Sequence, residues 1–413
     1  DTGDGLAQQL NLTAVLASQE VVLASVAQAI TQSGGSASSA GGQNTLNVVG
    51  AVFGLMSDGG IESGSDLDLV LGELELANPS DLATSAATLD SETIEATSVG
   101  AQTADAAAAA TISGRMTSLR QGSQTGVGSG DLLSVHGFWV QGYYNDTEQD
   151  ERDGVDGFDA DTTGVAMGVD AAVNDQVNAG LAVSWANTGV DSEGAEQNKM
   201  DIDSYRLTAY GAYNADTYHV DAQVAYSAND YDSKRNVRVG SFNRVAKSNH
   251  DGDQYSLRVR GGYPMAFDNG LYLTPRAGLE YTHLSEDSYK EKGAGNAGLA
   301  VRTKDVEVLL AKLGAKVAYA IVTESETTWI PELSMDLTHD FIGDEVELDS
   351  NFLGAAAATF VTQGANVEQT GVATGVRIRA FSQSNFSFSA GYDYLYKKDY
   401  ASQSWNATVR YDF

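Results

Sequence analysis

The chain has no cysteine. That excludes disulfide frameworks, thiolate metal sites and cysteine nucleophiles. Basic residues are scarce: 24 Lys and Arg stand against 56 Asp and Glu in 413 residues, a formal net charge of −32. A phosphate-binding surface is normally basic, so nucleic acid is excluded as a partner. No stretch approaches the run of about 18 apolar residues that a transmembrane helix needs. Residues 1–5 do not read as a signal peptide, so an exported protein would be present here as a mature form or a fragment. An outer-membrane β-barrel survives these exclusions, because its alternating strands give an average hydropathy that looks soluble.

Aromatic residues are nearly missing from one part of the chain. Residues 1–134 hold 15 acidic and 2 basic side chains, and Phe53 is their only aromatic; the other 34 of the 35 lie in 135–413. A core of that size without Trp or Tyr is unusual, since aromatics supply much of the buried area. The first part is therefore expected to be helical, and extended or docked on something else. Residues 6–32 read as an amphipathic helix, 45–57 and 66–76 as short helices, and 91–120 as the longest helix. Residues 33–44 and 121–134 read as Gly/Ser linkers.

From 135 the period changes to two. Tyr205, Leu207, Ala209, Gly211 and Tyr213 alternate with Arg206, Thr208, Tyr210 and Ala212. Tyr218, Val220, Ala222, Val224 and Tyr226 share one face, with His219, Asp221, Gln223 and Ala225 on the other. Tyr255, Leu257, Val259 and Tyr263 alternate with Ser256, Arg258 and Arg260. Aromatics close both ends of the apolar faces, as in the two girdles of a membrane barrel. A soluble β-sandwich is the alternative, but most of these strands exceed the ~5–6 residues usual in soluble sheets.

Twelve strands are expected, near 135–145, 161–173, 177–189, 201–214, 217–230, 252–265, 271–285, 303–320, 326–340, 366–381, 386–395 and 401–413. Connections after the even strands are short, and those after strands 1, 3, 5, 7 and 9 are long. Outer-membrane barrels have short periplasmic turns and longer external loops, so both ends of the barrel are expected in the periplasm. An even strand number closes the sheet and removes its edges. The fold class is thus mainly β: a 12-stranded antiparallel transmembrane β-barrel preceded by an α-helical segment.

Several motifs carry a resemblance. They are Gly164 to Asp170 followed by Gly180 to Trp185, Tyr210 to Tyr213 with Tyr218, Arg235 to Val237, Leu273 to Pro275 with Leu279 to Tyr281, Leu313-Gly314, and Pro331 with His339 to Phe341. In order and spacing they resemble the translocator domain of type Va autotransporters. The terminal Tyr411 and Phe413 resemble the signal read by the barrel-assembly machinery, although the usual upstream glycine is Thr408 here. Residues 82–120 are similar to the family stretch whose last helix threads the pore. A 20-residue helix over 101–120 spans about 30 Å, the hydrocarbon thickness, and an Ala-rich helix is the slimmest object able to fill a twelve-stranded lumen. Arg115 and Arg120 at its C-terminal end favour the negative end of the macrodipole and suit acidic lumen partners.

The segment around Ile112 to Arg120 also resembles the site where some autotransporters cut themselves between two asparagines. The aligned positions here are Ala110 and Thr111, which cannot perform that chemistry, and Asp105 is the only nearby carboxylate. No self-cleavage is expected.

By alternation, Arg206, Arg258, Arg260, Arg276, Glu280, Glu332, Asp336, Arg377, Arg379 and Arg410 point inward. A charge facing lipid at mid-membrane costs ~2–4 kcal/mol. The five histidines show no ligand spacing, there is no Gly-x-Ser-x-Gly elbow, and the Asp153 to Asp161 run lacks the EF-hand pattern and reads as a solvated loop. No cofactor, metal or bond chemistry is expected.

The resulting division is 1–90, a passenger remnant or accessory helical segment; 91–134, pore-threading helix and linker; and 135–413, the barrel. The resemblance implies an outer-membrane translocator that exports and anchors an N-terminal passenger. Its partners would be membrane lipid, the barrel-assembly machinery, periplasmic chaperones and its own passenger, with the barrel monomeric. A stand-alone surface, structural or adhesive protein on the same barrel, or a small-solute pore, are the alternatives.

Overall fold

A computed structural model describes residues 19–58, 61–90, 94–123, 134–194, 198–323, 327–381 and 386–411. The twelve expected barrel strands are all present: β1 (Ser134–Gln149), β2 (Phe158–Ala172), β3 (Val177–Ser192), β4 (Lys199–Asn214), β5 (His219–Val239), β6 (Phe242–Gly262), β7 (Leu271–Glu286), β8 (Val306–Tyr319), β9 (Thr328–Asp340), β10 (Thr370–Phe381), β11 (Phe386–Lys397) and β12 (Tyr400–Tyr411). Each pairs antiparallel with its sequence neighbours. β1 closes on β12, with Trp139 opposite Arg410 and Gln149 opposite Tyr400. Among the described residues the barrel sheet therefore has no free edge to template another chain.

Alternation sorts the residues by face. On β4, Tyr205, Leu207 and Tyr213 are exposed, whereas Arg206, Thr208, Tyr210 and Ala212 are buried. Tyr205 and Tyr213 lie about 26 Å apart along the strand, one in each aromatic girdle. Tyr144, Trp185, Tyr226, Tyr255 and Tyr281 continue the girdle at the long-loop end; Tyr218, Tyr263, Tyr272, Tyr319 and Trp329 continue the other. Inside, Trp139, Tyr143 and Tyr210 sit directly across from Gly168, Gly164 and Gly180. A Cβ on any of these glycines would collide with the ring opposite.

The helices are α1 (residues 19–32 of those described), α2 (Ala40–Asp58), α3 (Asp66–Leu76), α4 (Pro79–Ala87) and α5 (Ile94–Ser123). Two differ from expectation. Helix α2 starts inside the expected 33–44 linker, because Asn44 is anchored: its amide donates to the Gln363 carbonyl at 2.8 Å and its oxygen accepts from the Gln363 N–H at 2.8 Å. Helix α4 went unforeseen although its start is signposted. Asn78 caps the N–H groups of Ser80 and Asp81, and Pro79 occupies the first turn. The 6–18 part of the first helix and most of the 121–134 linker fall outside the described residues.

Three connections differ as well. The long loop expected after β5 is a two-residue turn, Gly240-Ser241, because β5 and β6 run on as a ribbon in strict register from Asp230–Asp251 to Val239–Phe242. The connections after β7 and β9 build a separate small sheet from 289–290, Leu299–Thr303, Glu347–Phe352 and Ala355–Gln363.

This extra-barrel structure explains the aromatic-poor helical segment. Val48, Val52, Leu67, Val70, Leu71, Leu74, Leu82 and Leu89 are buried in one core with Phe158, Tyr231, Phe242, Phe352 and Phe360. The barrel half supplies the aromatics, and the helices dock on its long-loop end. Each fully buried aliphatic side chain is worth roughly 1.5–3 kcal/mol of transfer free energy.

Candidate functional site

Helix α5 threads the barrel. Its first turns meet the long-loop end, where Gly100 packs tightly on Ile202, and its last turns reach the short-turn end. One face carries Ala104, Ala107, Ala108, Ile112 and Met116, which pack on Trp139, Tyr143, Ala166, Ala182, Ala186, Tyr210 and Ala212. These are positions three and four apart, a single apolar stripe. Alanine keeps the helix slim, so it lies against the wall formed by β1 to β5.

Polar ties fix its height at three levels. Near the long-loop end, Asp105 is buried and accepts from Arg206, from Arg258 Nη2 at 2.5 Å and from Ser256 Oγ at 3.2 Å. Lower down, Arg115 forms a two-pronged pair with Asp170 of β2. Tyr210 donates to the same carboxylate at 2.9 Å, and Trp139 Nε1 donates to Tyr210 at 2.9 Å. At the short-turn end Arg120 pairs with Asp221 of β5. Between these levels Gln223 donates to the Ala109 carbonyl and to Ser113.

The far wall is also charged. Glu280 of β7 faces Lys312 at 2.9 Å, Arg258 at 3.4 Å and Arg260 at 3.6 Å. Glu332 of β9 faces Arg379 at 2.5 Å and Lys316 at 3.2 Å. Arg276 holds Asp336 through two bonds of 2.8 and 2.5 Å, and Arg377 reaches Asp393 at 3.1 Å. Arg206, Arg258, Arg260, Arg276, Glu280, Glu332, Asp336, Arg377 and Arg379 therefore share one lumen. The side chains of Arg410 and Tyr411, and all of Phe413, lie outside the described residues. Sequence reasoning missed Lys312 and Lys316, and it did not single out Asp170 and Asp221 as helix partners. Asp170 and Asp221 stand at inward positions of the same alternation. β8 has apolar residues on both faces, which hides its lysines.

The expectation that the helix fills the lumen needs correction. A cavity of about 390 Å³ remains between α5 and the β7 to β10 wall. It is lined on the helix side by Gln102, Ala106, Ala109, Ala110, Ser113, Thr117 and Arg120.

Outside the lumen a second set of contacts holds the segment entering the helix. Arg235 of the β5–β6 ribbon pairs with Glu291 through bonds of 2.8 and 2.6 Å and donates to the Thr88 carbonyl at 2.6 Å. Burial opposes the charge on Arg235, but Glu291 more than offsets this and raises its pKa. His250 is stacked between Tyr231 and Tyr289, ring centres 4.8 and 4.3 Å away. Burial lifts both phenols above their ordinary range. The Asp153 to Asp161 run spans the β1–β2 connection and the start of β2, where Asp153 accepts from Asn366. Among the described residues no three His, Cys, Asp or Glu gather in a metal-holding geometry.

A closed barrel with an apolar, twice-girdled exterior, a charged lumen and a helix tied through it defines an outer-membrane β-barrel of the translocator type. The profile of the Autotransporter beta-domain matches residues 138–393, and the chain belongs to that family. Outer membrane protein B of Rickettsia prowazekii (strain Madrid E) is 26% identical over 303 residues, covering 71% of this chain and 18% of that protein. Outer membrane protein A of Rickettsia rickettsii is 26% identical over 314 residues, covering 73% and 14%. The chain thus spans less than a fifth of the length of these curated relatives. Among solved structures, the translocator domain of autotransporter NalP from Neisseria meningitidis superposes with a TM-score of 0.57 at 17% identity, covering 78% of this chain and all of that one. The transport unit of AIDA-I from Escherichia coli gives 0.53 at 12%, covering 72% and 97%.

The barrel lies in the outer membrane of a Gram-negative bacterium, with short turns periplasmic and long loops extracellular. The family is one of outer-membrane translocators rather than enzymes.

Proposed function

We propose that the chain exports an N-terminal passenger through the outer membrane by type V secretion and then anchors it there. One observation carries this reading. Residues 19–90 pack outside the long-loop end, and α5 connects them through the lumen to β1, which begins at the short-turn end. A chain delivered from the periplasm reaches that arrangement by passing its N-terminal part through the pore. The periplasm holds no ATP, so the drive comes from folding outside and from the barrel-assembly machinery, with periplasmic chaperones keeping the chain open beforehand. The ion pairs of Asp105, Arg115 and Arg120 seat the helix once transport ends, and the other lumen charges, with Arg410, keep the pore hydrated. Tyr411 and Phe413 form the assembly signal. The chain does not cleave itself in the lumen: Ala110 and Thr111 lack the nucleophile, and the Asp105 carboxylate is engaged by two guanidinium groups.

A second reading has a specific support. Helices α2 to α4 share a core with the barrel's own external sheet, as a dedicated surface module would. In that case residues 1–134 are the whole effector of a stand-alone surface or structural protein. The mass of the pulse-labelled precursor, detected in its native cell with an antibody to the barrel, decides between them. A precursor far above 43.4 kDa supports passenger export; one larger by only a signal peptide overturns it in favour of the surface protein.

A further inference from the structure

The charges around the lumen cavity are distributed against the composition of the chain. Ten of the 24 basic side chains line it, against eight of the 56 acidic ones. At two places the cations outnumber their carboxylates. Among the described residues Glu280 faces Arg258, Arg260 and Lys312, and Glu332 faces Arg379 and Lys316. Arg258 is further shared with Asp105 of the helix. One carboxylate neutralises one cation, so the wall carries surplus positive charge, borne mainly by the half-buried Arg260, Lys312 and Lys316.

The cavity is also long. All five inward positions of β9 from Glu332 to Asp340 line it, which is about 26 Å of strand. It follows the helix from Asp344 and Val346 at the outer end to His219 and Lys316 at the periplasmic end. The helix therefore occupies one side of the lumen, and a second, parallel path lies beside it with a basic wall. Low-dielectric walls bearing one sign of charge focus the field and concentrate ions of the other sign.

We propose that this path prefers anions and that its polymeric substrate is an unfolded, acidic polypeptide, which slides past the basic wall while the helix segment stays on the β1 to β5 side. This rests on the export reading above and names the class of cargo. Residues 1–134 have the matching composition, with 15 acidic and 2 basic side chains. Charge matching here is a surplus spread along the wall, so it speeds passage without binding the cargo at one point.

Reversal potentials under a KCl gradient, with the full chain in planar lipid bilayers at low salt, test the ionic part. Chloride is expected to be more permeant than potassium, and Arg260→Gln/Lys312→Gln/Lys316→Gln is expected to abolish or invert the preference. Potassium preference, equal permeability or no conductance in the unmodified chain overturns the proposal. Lys312→Gln alone, which leaves Arg258 and Arg260 on Glu280, serves if the triple variant does not assemble. For the cargo, matched unstructured tracts rich in Asp or in Lys are placed before residue 1, and their arrival at the cell surface is timed. The acidic tract is expected first, with the difference lost in the glutamine variants; equal or inverted rates overturn the proposal. Failure of both tracts to emerge refutes export itself and the cargo assignment with it, whereas the reversal potential still judges the path.

Discussion

Arg115 and Asp170 meet through two bonds of 2.6 Å, Nε to Oδ2 and Nη2 to Oδ1, with both side chains almost wholly withdrawn from solvent. The pair joins the threading helix to β2, and Tyr210 fills a further site on the same carboxylate. Removing one partner of such a pair strands a buried charge, which costs about 3–5 kcal/mol. Arg115→Met should therefore loosen α5 by that order. Arg115→Met/Asp170→Asn should recover most of the loss, because the amide needs no counter-charge and still accepts from Tyr210. Protease sensitivity of α5 and the temperature of heat-modified gel mobility report both. Equal damage in the single and double variants would assign the effect to lost packing instead.

The same helix controls the bore of the barrel. With its side chains a helix is about 10–12 Å across, and here it leaves a cavity along the β7 to β10 wall. Deleting residues 91–120 should raise single-channel conductance on the order of several-fold, from a small but finite starting value. An unchanged value would refute the placement of the helix in the pore.

Residues Asn44 and Asn47 act at a different border. They lie one turn apart on α2 and bond to Gln363 and Val361, alternate residues on the edge of the small external sheet. Helix side chains thus satisfy backbone groups that a neighbouring strand would otherwise claim. Asn44→Ala should cost this helix–sheet contact about 1 kcal/mol and speed hydrogen exchange at the Gln363 amide. Asn47→Ala removes a donor only, so it should leave that amide protected.

How far these features could be read from the sequence depended on periodicity. β4 and β6 declare themselves because Arg206, Arg258 and Arg260 can face only the lumen while Tyr205, Leu207 and Leu257 face lipid. The β5–β6 ribbon did not, since beyond Asp230 the polar Ser233 and Arg235 interrupt the inward face of Tyr231, Val237 and Val239, and the period-two contrast fades. The external sheet was hidden for another reason. Its Ala355–Gln363 strand begins with four alanines, poor strand formers, and the sheet joins segments from two different connections. The lumen cavity was out of reach too. A narrow bore and an Ala-rich helix suggested filling, but slimness lets α5 press on one wall and vacate the other.

At the outer surface, pH acts on the connection after β3 through Glu193. Glu193, in the connection after β3, is raised above its ordinary carboxyl pKa of 4.5 by desolvation and then by Asp159, Asp150, Glu148 and Asp156. A carboxyl whose folded pKa is raised holds its proton more tightly when folded, so its ionisation opposes folding. That penalty is fully present above the raised value and fades as pH falls through it toward 4.5. Lowering the pH should therefore tighten this connection, opposite to the acid response of a salt-bridged carboxylate. Glu193→Gln should mimic the effect at neutral pH, and its advantage should vanish at pH 4 and shrink in high salt as screening shortens the reach of the neighbouring charges. Hydrogen exchange at the amide of position 193, which donates to the Gly157 carbonyl at 2.8 Å, is the readout. Slower exchange in the glutamine variant at neutral pH is expected; faster exchange there would mean that the carboxylate has a favourable partner which outweighs the four acids around it.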